Sequence, residues 1–209
     1  MLTALFAGLS IGFGSGVAPG PLTGLAISTT LRSGLGSGLR IAVAPLISDS
    51  VIILLSLTLV AQLPEGAITV LGIVGAIVVF AFGSEILWSA YKMHSDEVHM
   101  DSKGSSRLQR LPLIAQGGLI NFLNPAPWIF WITAGSTILL GFWRESPTQA
   151  VVFLLAFYLT LVGAKVAIVV ALAATRHRMS ARTYRLILMA SGILLLITAV
   201  VLIFTHVLR

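Results

Sequence analysis

Apolar residues fall into six long blocks, near 2–31, 38–62, 67–91, 112–140, 148–173 and 184–207. A helix needs about 20 mostly apolar residues to cross a bilayer. The pattern therefore predicts an all-α integral membrane protein with six transmembrane helices. The links between blocks are short, except for the charged stretch 92–111. That stretch divides one membrane domain into a first three-helix repeat, 1–91, and a second, 112–209. The first apolar block lacks a basic flank and is too long for a signal-peptide core, so it reads as a span rather than a cleaved leader.

The basic residues give the expected direction. Arg32 and Arg40 lie in the first loop, Lys92, Lys103, Arg107 and Arg110 in the third, and Arg176, Arg178, Arg182 and Arg185 in the fifth. With six spans these ten share one side, while only Arg144 and Arg209 lie on the other. The positive-inside rule makes the first, third and fifth loops cytoplasmic and both termini external. Trp88, Tyr91, Tyr184 and Trp143 fall where interfacial aromatics are expected, whereas Trp128 and Trp131 fall near mid-depth.

An odd number of spans per half turns the second repeat upside down relative to the first. Secondary transporters built this way carry discontinuous helices at the solute site. The first span contains Pro19-Gly20-Pro21, and the fourth contains Asn124-Pro125-Ala126-Pro127. Each proline removes an N–H donor and crowds the preceding turn. Two of them around one small residue predict a broken first and a broken fourth helix. The plainer reading is a kink in an ordinary packed helix. Both spans are also longer than a straight crossing of about 30 Å requires.

Composition agrees with this architecture. Of 209 residues, 57% are hydrophobic and only 10% charged, with mean hydropathy +1.01. That leaves too little polar surface for a water-soluble globule. The net charge of +6 is spread over short loops with no interleaved aromatics, so it does not indicate nucleic acid. With no cysteine, disulfide frameworks and paired-thiol electron carriers are excluded. No Ser/His/Asp nucleophilic set is evident, and no enzyme activity or cofactor is expected.

Ionisable residues inside the spans mark candidate chemistry, because a charge at the bilayer centre costs several kcal/mol. Asp49 lies halfway along the second span and Lys165 near mid-depth in the fifth, the equivalent helix of the other half. They are expected to face a common interior, either as a buried ion pair or as a solute or proton site. Glu85 lies in the cytoplasmic third of the third span, placed to line a vestibule or to snorkel. Asn121 and Asn124 flank the fourth-span break, where their amides can replace lost backbone partners or meet a solute. Ser48, Thr23 and Gln116 are weaker polar candidates. Gly8, Gly12, Gly16, Gly20 and Gly24 recur every four residues and predict close helix packing, against another span or against a second subunit in a homo-oligomer.

Two loop patterns carry less. His94, Asp96, His99 and Asp101 could ligate a divalent metal, although their spacing follows no strict template. Gly34-Leu35-Gly36-Ser37-Gly38 lacks the strand and lysine of a phosphate loop and reads as a tight turn.

These residues in this order resemble the lysine exporter (LysE-type) translocator family. The resemblance rests on Pro19-Gly20-Pro21 ending a glycine-rich first span, then Arg32-Ser33-Gly34 and Gly38. It continues through Asp49, Gly75-Ala76, Gly83 and Asn121-Phe122-Leu123-Asn124-Pro125. It covers the first four spans by motif and the last two by length and hydropathy. Leu22, Ser48 and Ala126 depart from the family pattern. The resemblance implies a prokaryotic plasma-membrane exporter of amino acids or similar small metabolites, coupled to the proton-motive force. On that reading Asp49 is the coupling or ammonium-binding carboxylate. Lys165 is its counter-ion or holds a solute carboxylate. The two breaks frame the site, walled by Trp128 and Trp131. Competing expectations are a divalent-metal exporter of the same superfamily and a non-transporting scaffold or assembly factor.

Overall fold

The computed structural model describes residues 1–92 and 111–174, together with 185–186, 189–190, 192–193, 196–197, 199–200 and 203. Among the described residues the chain is all-helical, with no strand. The order is α1 (Leu2–Val17), α2 (Pro21–Ser33), α3 (Leu35–Ala42), α4 (Pro45–Val60), α5 (Glu65–Lys92), α6 (Leu113–Leu123), α7 (Pro125–Phe130), a π-helical turn (Trp131–Gly135), α8 (Ser136–Glu145) and α9 (Pro147–Ala174).

Three helical stretches are long and apolar enough to cross a membrane: Leu35–Val60, Pro125–Glu145 and Pro147–Ala174. Leu2–Val17 and Pro21–Ser33 qualify together as a pair bent by 59°. Leu113–Leu123 is a shorter apolar helix that ends at the hinge Asn124. The chain is thus a multi-pass membrane protein. The fifth apolar block coincides with α9. Most of the sixth lies outside the described residues. Its described positions are helical, and Gly192 there packs against the Leu87 side chain and the Gly83 carbonyl of α5.

The second span begins earlier than its hydropathy suggests, because most of the glycine-rich segment is helix. The turn is confined to Gly34, whose φ of 82° suits a residue without Cβ. α3 starts at the next residue and runs through Gly36, Ser37 and Gly38.

Faces are sorted for lipid rather than water. On α4, Pro45, Ser48, Asp49, Ile52, Ser56 and Val60 point inward at helical spacing. Leu46, Ile47, Val51, Leu54, Leu55 and Leu59 point outward and are exposed. The buried side thus carries the helix's one charge, Asp49, together with Ser48 and Ser56. Lipid supplies no hydrophobic driving force between helices, so close packing and internal hydrogen bonds must hold the bundle. The contact of α1 with α9 shows this. A Cβ on Gly8 would stand 2.5 Å from the Phe153 carbonyl, and one on Gly16 would stand 2.6 Å from the Leu161 carbonyl. Gly12 meets the Phe157 carbonyl and Thr160 in the same way. This part of the glycine stripe is used within one chain, against α9, and is not free for a second subunit.

Candidate functional site

The first break is built by missing donors. Pro19 and Pro21 offer no N–H to the turn before them. α1 closes with the Ala18 N–H donating to Gly14 O at 3.1 Å. α2 opens at Pro21 behind the extended Gly20, which supplies no side-chain cap. The stranded groups find other partners. The Thr23 hydroxyl donates to Ala18 O at 3.0 Å. The Lys165 ammonium, reaching from α9, donates to Gly16 O at 3.1 Å and to Thr23 Oγ1 at 3.0 Å.

The second break is narrower and largely self-satisfied. Asn124 is extended, and its side-chain oxygen accepts from the Ala126 N–H at 3.2 Å, capping α7. Pro125 occupies the first turn of α7, where a missing N–H costs nothing. The Phe122 carbonyl left open by the break is taken by the Trp128 Nε1–H at 2.7 Å. One turn before the hinge, the Asn121 amide donates to Asp49 Oδ1 at 2.6 Å and to Ser48 Oγ at 2.8 Å. Ser48 passes its own proton to Ala44 O at 3.3 Å.

Between the breaks lies a cavity of about 280 Å³. This is just below the roughly 300–1,000 Å³ of drug-sized ligand sites, and suits a smaller solute. Asp49, Glu85, Asn121, Asn124 and Lys165 reach its wall, as do Pro19, Gly20 and Pro21. Phe130, Trp131 and Phe157 close one side. The Phe130 and Phe157 rings stack 5.7 Å apart, with Trp131 edge-on to Phe157 at 5.4 Å. Trp131 is only 1% exposed and opens the π-helical turn. π-turns of this kind are frequent at functional sites. Trp128 and Pro125 are not on the cavity wall. Trp128 instead packs edge-on to Phe122 at 5.1 Å and repairs the break from behind.

Asp49 and Lys165 are 3% and 6% exposed and share this cavity, yet no ion pair joins them. Each bonds instead to partners of its own. The cavity therefore has two poles. A carboxylate with a side-chain amide stands at one wall, and an ammonium beside the uncapped start of α2 stands at another.

Some residues at the site were not foreseen. Ser15, Phe82 and Phe157 line the cavity, but in the sequence they look like ordinary span residues. The Tyr158 hydroxyl is buried against the Asp49 carboxyl without a hydrogen bond of standard geometry. Its signal was a phenol placed mid-span rather than at an interface. Gln116 is occupied locally, donating to Leu111 O at 2.7 Å. His94, Asp96, His99 and Asp101 lie outside the described residues. Among the described residues no group of three or more His, Cys, Asp or Glu is placed to hold a metal ion.

No curated protein and no solved structure matches the chain. A family profile described as LysE type translocator matches residues 15–206, from just before the first break to near the end of the sixth apolar block. That match takes in both breaks, Asp49 and Lys165, and the chain belongs to the LysE type translocator family, a family of membrane transporters of small molecules.

Proposed function

We propose that this protein exports amino acids or similarly small zwitterionic metabolites across a prokaryotic plasma membrane, driven by the proton-motive force. In this reading six spans form two inverted three-helix repeats, with both termini external and the 92–111 loop cytoplasmic. The observation that carries the proposal is the two-pole cavity between the breaks. Asp49 offers a carboxylate to a solute ammonium or a proton, and Glu85 adds a second carboxylate on the same wall system. Lys165 and the start of α2 offer positive ends to a solute carboxylate, as half-helix N-termini do in other broken-helix transporters. The remaining lining is mostly apolar and leaves room for a short side chain.

Proteoliposomes loaded with a panel of radiolabelled amino acids test this. With an imposed proton gradient, efflux of at least one amino acid should exceed that from protein-free vesicles and collapse with an uncoupler. No efflux above background for any of them would overturn the reading. The metal-export alternative rests on the His94–Asp101 loop. It would replace the amino-acid reading if the same vesicles released a divalent cation only while His94 and His99 were intact.

A further inference from the structure

The two charged cavity residues are bonded in a crossed pattern. Lys165 stands on α9, in the second half of the chain, and holds Gly16 O and Thr23 Oγ1 on either side of the first break. Asp49 stands on α4, in the first half, and holds Asn121 one turn before the second break. Each half thus ties down the broken helix of the other.

The chemistry of the first tie is specific. α1 stops at Val17, so the Gly16 carbonyl belongs to its last turn and lacks a helical donor. A cation at a helix C-terminus is favoured by the helix dipole and meets the open carbonyl directly. Thr23 lies in the first turn of α2, and its hydroxyl both accepts from Lys165 and donates to Ala18 O. One ammonium therefore bridges the end of one half-helix and the start of the next.

We propose that Lys165 is a positioning residue for the first break, acting through Gly16 and Thr23 rather than as the counter-ion of Asp49, and that Asp49 with Asn121 forms a separate tie at the second. The ties belong to the fold. Only their use in transport rests on the export reading. There, the first break changes its bend when a solute carboxylate replaces Gly16 O and Thr23 as acceptors of the ammonium.

Thermal unfolding of the full-length purified chain tests the wiring through two double-mutant cycles. Thr23→Val combined with Lys165→Met should depart from additivity by about 2 °C or more, because the residues share a bond. Asp49→Asn combined with Lys165→Met should depart from additivity by less than the Thr23 pair does, because the two charges share the cavity without a bond between them. The reverse pattern, with Asp49 coupled to Lys165 and Thr23 independent of it, would overturn the proposal. A second readout covers variants that fold poorly. The chain has no native cysteine, and the space around Gly20 is open. Maleimide labelling of Gly20→Cys should therefore rise several-fold when Thr23→Val is added, with labelling of Ala126→Cys at the second break unchanged. Equal changes at both breaks, or none at the first, would contradict the tie. Neither readout needs a transported solute, so a failed efflux assay and a failed tie are told apart.

Discussion

The two breaks use nearly the same sequence device and solve the resulting problem differently. At the first, three residues separate the half-helices, the axis turns by 59°, and the freed groups are met by Thr23 and by Lys165 from a distant helix. At the second, one extended residue suffices. Asn124 caps the next helix itself, and Trp128 takes the open carbonyl. A break flanked by glycine has no capping side chain at the hinge itself, and here draws one donor from Thr23 in the next helix and another from distant Lys165. A break flanked by asparagine carries its own. The first is thus tied to remote chemistry, while the second is a local hinge whose remote tie, Asn121 to Asp49, sits a turn away.

This contrast can be broken at graded points. The largest effect is expected beside the first break. Gly16→Leu drives a side chain into the Leu161 carbonyl and the Ala164 methyl, and should cost about 3 kcal/mol or more. Gel filtration should show little monodisperse protein, and wild-type yield and melting would contradict the close α1–α9 contact. Next comes Asn121→Ala, which strips Asp49 and Ser48 of their shared donor. A loss of about 1–3 kcal/mol in thermal unfolding is expected for these stranded buried groups. Unchanged stability would mean the second tie carries no weight. Asn124→Ala removes one cap and should cost about 1 kcal/mol by the same measurement. Gly20→Ala, at the matching place in the first break, should change stability by less than about 0.5 kcal/mol, since its extended backbone and open surroundings accept a methyl group. Equal costs for the last two would erase the distinction between a self-capped and a borrowed-donor break.

What could be read in advance follows the same division. The apolar blocks were legible because a bilayer demands long runs, and α9 and Leu35–Val60 lie on two of them. Asp49 and Lys165 stood out because ionisable groups are costly in lipid. Their partners did not stand out. Whether Lys165 meets Asp49 or Gly16 O depends on the register of α9 on α1, which Gly8, Gly12 and Gly16 set by close approach. The glycine stripe announced tight packing but not its partner. The helix α3 was hidden by glycines that resemble a turn, and only Gly34 needs one. Trp128 and Trp131 looked alike in the sequence. A single hydrogen bond to Phe122 O takes Trp128 off the cavity wall, while the π-turn seats Trp131 on it. Such assignments rest on side-chain geometry that no local pattern encodes.

The central claim is that the Asp49 carboxylate, at one pole of the cavity, binds solute or proton during export. Its most direct test is efflux from proteoliposomes under a proton gradient, comparing wild type with Asp49→Asn at equal reconstituted amounts. The account predicts that Asp49→Asn falls to the rate of protein-free vesicles while still eluting as folded protein. Efflux equal to wild type from Asp49→Asn would contradict it.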